Sequence, residues 1–206
     1  MKTENAVLMR NAREALTGKW GLAVGGYFIY MAVTILVGAP DDIGPFLSLL
    51  IDGPMLIGLS VFSLALSRRQ EASISQLFVG FNDFLRALSA YLLMILFILL
   101  WALLLIVPGI IAALSYSQTF FILAEDKSIG ARDAIRKSKA MMNGNKKKLF
   151  FLSLRFFGWF LLCILTLGIG FLWFLPYIQV TMAMFYDDIS GRSLPPNTTN
   201  SEPQPN

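Results

Sequence analysis

The 206-residue chain contains no histidine and a single cysteine, Cys163. The first absence excludes His-ligated zinc and haem sites and hydrolases of the Ser-His-Asp type, and the second excludes an internal disulfide. Charge is scarce as well. Asp, Glu, Lys and Arg make up 15% of the residues, against about 25% in soluble domains. Hydrophobic residues reach 56%, aromatics 13%, and mean hydropathy is +0.64. A water-soluble fold of this size would have to expose too much of that apolar content. A disordered chain is poor in the aromatics that are abundant here. The composition is that of a small polytopic membrane protein.

Apolar runs of about 18 residues read as membrane helices, and shorter ones qualify when tight turns join them. Six segments fit, at 20–38, 46–67, 88–107, 110–124, 149–167 and 171–186. The second contains Asp52-Gly53-Pro54 and the fifth contains Arg155. The runs are joined alternately by charged segments and by outer turns at 39–45, Pro108-Gly109 and Gly168-Ile169-Gly170. None of the 17 Lys and Arg residues falls in an outer turn. The positive-inside rule therefore places both termini on the cytoplasmic side of the cell membrane. Residues 1–189 read as one membrane domain. Residues 190–206, proline-rich and without apolar periodicity, read as a disordered cytoplasmic tail.

Three charged segments carry apolar residues at helical spacing. The first has Leu8, Ala12, Ala15 and Leu16 on one face. The second has Ile74, Leu77, Phe78, Phe81 and Leu85, with Ser73 and Gln76 placed as a capping box. The third has Ala131, Ala134, Ile135, Ser138, Met141 and Met142. Each ends near a glycine, Gly18, Gly80 or Gly144, suited to the left-handed residue that closes a helix. At an offset of 61, Gly109, Tyr116, Gln118 and Asp126 match Gly170, Tyr177, Gln179 and Asp187. The chain thus reads as three units, roughly 3–69, 70–126 and 127–189. The expected fold is all-α: six transmembrane helices as three helical hairpins, each preceded by a cytoplasmic amphipathic interfacial helix.

The runs PGIIAALSYSQTFFILAED at 108–126, AIRKSKAMMNGNKKKLF at 134–150 and GIGFLWFLPY at 168–177 resemble a bacterial integral membrane family, the domain of unknown function 975. The opening LMRNAREALTGKWGLAV at 8–24 and the closing FYDDISG at 185–191 extend the resemblance to nearly the whole chain except its tail. It implies a six-span bacterial membrane protein with no known reaction. The family is in turn distantly similar to the membrane region attached to some glycerophosphodiesterases, a region without catalytic residues.

Few residues invite a chemical role. An acid inside an apolar run, Asp52, is a proton or cation site by default, and it is equally a helix cap ahead of Gly53-Pro54; the cap is the simpler reading. Arg155 reads as snorkelling to lipid phosphate. Lys137, Lys139, Lys146, Lys147 and Lys148 form a polybasic run beside a span, which contacts anionic headgroups rather than nucleic acid. Tyr116, Gln118, Tyr177 and Gln179 line a polar path or join helices by hydrogen bonds. Gly21 and Gly25 are spaced for close helix packing. Cys163 reads as an inert hydrophobe. Glu125-Asp126 and Asp187-Asp188 are paired acids at span ends. With no catalytic set, cofactor motif or metal-ligand cluster, the expectation is a non-enzymatic membrane protein that organises lipids or a membrane-protein partner at the cytoplasmic face. The alternative is a small transporter, channel or export or immunity-type protein. Single cysteines placed within residues 39–45 and at Ser128, in a Cys163→Ala background, are expected to label from opposite sides of the membrane. Labelling of both from one side overturns the topology.

Overall fold

A computed structural model describes residues 3–166 and 168–192; residues 193–206, most of the expected tail, lie outside the described residues. The chain forms α1 (Asn5–Leu16), α2 (Trp20–Gly38), α3 (Gly44–Ser67), a 3-10 helix (Ile74–Asp83), α4 (Phe84–Leu104), α5 (Ile106–Tyr116), α6 (Thr119–Glu125), α7 (Ala131–Met141), α8 (Lys146–Leu165) and α9 (Phe171–Ile189). No strand occurs among the described residues. Five helical stretches are long and apolar enough to cross a membrane: α2, α3, the 3-10 helix with α4, α5 with α6, and α8. α9, as long as α2, is not among the five. Gln179, Thr181, Asp187 and Asp188 dilute its apolar character.

α3 is the centre of the bundle. Of its most apolar window 67% is buried, against 17% in α2, 22% in α8 and 11% in α4 with its 3-10 segment. The outer helices turn large apolar side chains outward, with Leu36, Leu103, Ile106 and Leu165 each at least 73% exposed. A surface of this kind fits hydrocarbon rather than water. α3 reaches the centre because its contact face is small. A Cβ added at Gly58 would lie 1.8 Å from the Leu77 carbonyl oxygen, and one added at Gly80 would lie 2.0 Å from that of Pro54. The 3-10 helix therefore lies backbone to backbone across α3.

Several local expectations are corrected. Asp52 is not a helix cap, because α3 runs unbroken from Gly44 to Ser67 and Pro54 sits inside it. Proline is tolerated within a membrane helix where neighbours cover the freed carbonyl. Gly18 (φ +77°) and Gly144 (φ +76°) do adopt the left-handed conformation, but Gly80 does not; it is glycine for want of space. The second amphipathic segment is a 3-10 helix, although its capping box is present as expected, with the Ser73 N–H donating to Gln76 Oε1 at 3.4 Å. The turn expected at Pro108-Gly109 lies earlier, at extended Leu105, with Pro108 in the first turn of α5, where no helical N–H is needed. The fourth apolar run breaks between α5 and α6 at Ser117-Gln118. Among the described residues nothing lies within 4 Å of a Cβ added at Gly21 or Gly25; one added at Gly26 instead meets the Phe62 ring.

The apolar faces of α1 and α7 are closed by protein. Leu8, Ala12 and Leu16 are fully buried against α9 and α3, and Ala134 and Ser138 are fully buried against α4, α5 and α6. Ser138 fills the α5–α6 break. Its Oγ donates to the Ser115 carbonyl at 2.8 Å and accepts the Gln118 N–H at 3.2 Å. This contact supplies partners for backbone groups that the break frees.

The two kinds of glycine separate experimentally. Gly58→Val and Gly80→Val force backbone apart, and each is expected to cost about 3 kcal/mol or more. Gly144→Ala, with open space around it, carries only the conformational penalty of about 1–2 kcal/mol. Thermal unfolding in detergent reads the difference. Equal costs at Gly80 and Gly144 would show that the crossing is not tight.

Candidate functional site

The ends of α3, α6 and α9 converge at the end of the bundle that bears the basic segments. Each contributes charge: Arg68 just past α3, Glu125 at the end of α6, and Asp187 near the end of α9. Arg68 grips Asp187 with two bonds, Nη2 to Oδ1 at 2.7 Å and Nε to Oδ2 at 3.1 Å. Its Nη2 also donates to Glu125 Oε1 at 2.8 Å. Tyr186 donates its hydroxyl to Glu125 Oε2 at 2.7 Å, and its ring stacks on Phe121. Arg192 pairs with Glu125 from the outside. The planar guanidinium suits this forked geometry in a way that a lysine does not.

Two positive and two negative groups neutralise one another in the cluster. Asp187 is 2% exposed, so its charge depends on these partners. Burial works against the Arg68 cation, but hydrogen bonds to Asp187 and Glu125 outweigh it and raise its pKa above the ordinary guanidinium value. The arrangement holds three helix ends together. No group of three or more His, Cys, Asp or Glu residues suited to a metal occurs among the described residues.

A second set of contacts ties down the chain start. Lys148 pairs with Asp188, which also accepts the Thr3 N–H at 2.9 Å. Asn5 donates to the Lys148 carbonyl at 2.9 Å. Arg86 closes α6 by donating to the carbonyls of Leu123 (3.1 Å) and Asp126 (3.0 Å), where a cation complements the helix dipole. Asp126 itself accepts both the N–H (2.9 Å) and the hydroxyl (2.6 Å) of Ser128, and these bonds lower its pKa below the ordinary carboxylate value.

The structure distributes the predicted site residues unevenly. Lys137, Lys139 and Lys147 are exposed and have no ion-pair partner among the described residues, while Lys146 is half-buried. Lys148 departs from the expected headgroup contact, since its pair with Asp188 turns it inward. Arg155 is exposed beside exposed Phe151, Leu154 and Phe157. Asp52 accepts the Tyr91 hydroxyl at 2.8 Å, joining α3 to α4. Tyr116 packs its ring near Phe97, and Gln118 bonds its neighbour Ser117 at 2.9 Å. Tyr177 donates to the Met9 carbonyl at 3.1 Å, joining α9 to α1. Gln179 lines a separate cavity of about 390 Å³ with Ser60, Ser117 and Ser153. The two Tyr-Gln pairs are therefore not brought together.

Sequence reading missed Arg68 as a partner for the paired acids. The available signal was position: opposite charges close the second, fourth and sixth apolar runs at nearly equal depth.

Among the described residues the chain is all-helical, with five helical stretches long and apolar enough to span a membrane. It belongs to the family described as protein of unknown function (DUF975), whose profile matches residues 1–115 and 103–193. No curated protein and no solved structure matches it.

Arg68→Gln strands a buried carboxylate and is expected to cost about 3–5 kcal/mol. Arg192→Gln, at a side chain 46% exposed, should cost about 1 kcal/mol or less. Adding Asp187→Asn to Arg68→Gln should recover part of the loss. Equal losses for the two arginine variants, measured by unfolding in detergent, would show that Arg68 contributes no more than a surface charge.

Proposed function

We propose that this is a six-span bacterial cell-membrane protein with both termini cytoplasmic, a non-enzymatic module that gathers anionic lipid headgroups at its cytoplasmic face. In this reading α9 is the sixth span and the three hairpins are copies of one ancestral unit. The observation that carries the proposal is the attachment of α7. Its apolar face is buried on α4, α5 and α6, so the helix is held by protein contacts. Its other face presents Arg132, Arg136, Lys137 and Lys139 outward, with Lys147 following. Only Arg136 among these has an acidic partner among the described residues, Asp133 at 3.3 Å. A fixed row of cations beside a bilayer attracts anionic lipid, at about 1 kcal/mol per residue.

The transporter alternative draws on the Asp52–Tyr91 pair, an acid held inside an apolar helix. A polar route beyond it is poorly supported. Ser60, Ser63 and Ser67 of α3 donate to carbonyls of their own helix, and the cavity lined by Gln179 includes neither Asp52 nor Gln118.

The test uses the full chain in phosphatidylcholine vesicles with spin-labelled phosphatidylglycerol or phosphatidylcholine as a trace component. Wild type is expected to immobilise the anionic lipid selectively. Combined Lys137→Gln, Lys139→Gln and Lys147→Gln should reduce that selectivity by about fivefold or more, and so should added salt. Unchanged selectivity in the triple variant would overturn the lipid reading and leave the basic row to an acidic protein partner.

A further inference from the structure

A second feature lies apart from the basic row. α1, the start of α2 and the α8–α9 hairpin enclose a groove of about 330 Å³, within the range of about 300–1,000 Å³ usual for small-molecule sites. Three of the chain's four tryptophans line it, Trp20, Trp159 and Trp173, together with Cys163 and Tyr177. Trp159 and Trp173 are each 52% exposed. The groove therefore opens onto the same apolar surface as Leu162 and Leu165, and an occupant can enter sideways from the hydrocarbon.

Among the described residues one charged side chain lines this apolar space, Arg13 of α1. It is exposed and has no ion-pair partner among the described residues. Its acidic neighbour Glu14 is engaged elsewhere, by Arg69 at 3.7 Å and Arg10 at 4.0 Å. An apolar wall asks for a hydrocarbon chain, and an uncompensated guanidinium asks for an anion, best a forked oxyanion such as phosphate. Free phosphate would leave the wall unfilled. A neutral alkyl chain would leave the cation unanswered. Tryptophan, an apolar body with a polar N–H, suits the boundary between chain and headgroup.

We propose that this groove is a binding site for one anionic phospholipid, with an acyl chain along Trp159, Cys163 and Trp173 and the phosphate at Arg13. The proposal rests on the lipid-facing reading above but on different residues, and the two fail separately.

The experiment is tryptophan quenching in the full chain carrying Trp101→Phe, which removes the tryptophan outside the groove. Phosphatidylcholine vesicles receive a rising mole fraction of phosphatidylglycerol with brominated acyl chains. Quenching is expected to saturate at low mole fraction, over a background proportional to lipid content. Arg13→Gln, at an exposed position, should shift the half-point up by about fivefold, the share of one cation beside anionic lipid. Cys163→Phe, which fills the groove, should remove the saturating component. Lys137→Gln with Lys139→Gln and Lys147→Gln should leave the titration unchanged. The proposal is overturned if Arg13→Gln titrates like wild type, or if brominated phosphatidylcholine quenches with the same saturation.

Discussion

The pair of hydrogen bonds between Arg68 and Asp187 is the contact on which the rest of the arrangement depends. It spans 119 residues of sequence and joins the central helix to the last one. A carboxylate as buried as Asp187 is tolerable only when paired, because isolated charge away from water is costly. Two backbone positions follow from that requirement: the end of α3 must meet the end of α9, and Glu125 must bring α6 beside them. Pairing of this kind is weak evidence for high stability, since desolvation cancels much of the attraction. It is stronger evidence for a unique arrangement. Apolar packing among leucine-rich helices is permissive, and inside lipid there is little hydrophobic drive to choose one neighbour over another. A forked ion pair chooses.

The crossing of α3 by the 3-10 helix works together with this contact. Where a membrane helix has small residues, backbones approach closely and dispersion contacts accumulate. Gly58 against Leu77 and Gly80 against Pro54 are two such places, on either side of one crossing. They set the position of the segment that leads into α4. The outer helices need less. α4 and α8 are mostly exposed to the surroundings, as a lipid-facing element in a small bundle requires.

The element types were legible in the sequence because long apolar runs and 3.6-residue periodicity are strong signals, and the family was legible from runs such as PGIIAALSYSQTFFILAED. Turn positions were less so. Pro108-Gly109 looks like a turn, yet proline is equally at home in the first turn of a helix, and the chain reverses at Leu105 instead. Gly18 and Gly144 adopt the left-handed conformation that their local pattern implies, while Gly80 has the same local pattern and a different cause, because its constraint comes from Pro54, 26 residues away in the chain. Asp52 followed the same logic. Its local surroundings favour a cap, and only the distant Tyr91 shows why it sits inside a helix. Lys148 was indistinguishable from Lys146 and Lys147 until Asp188 was placed beside it. What escaped sequence reading is the pairing of groups far apart in the chain, which no local pattern carries.

The attachment of α1 and α7 bears on how any lipid reading works. A free amphipathic helix lies in the interface at a depth set by its own apolar face, and it binds in proportion to that area and to surface charge. Here the apolar faces of both helices are closed by protein, through Leu8, Ala12 and Leu16 in one and Ala134 and Ser138 in the other. In the proposed reading their height relative to the bilayer is therefore fixed by the bundle, and their cations are presented without any cost of folding the helix on arrival. Ordering entropy that a free peptide loses on binding is already accounted for in the fold. The same rigidity sets the backbone of Arg13 beside the α8–α9 hairpin. A basic row and a single groove-facing arginine thus share one physical basis: amphipathic helices whose apolar sides are occupied by their own protein, leaving only the charged sides to meet what lies outside.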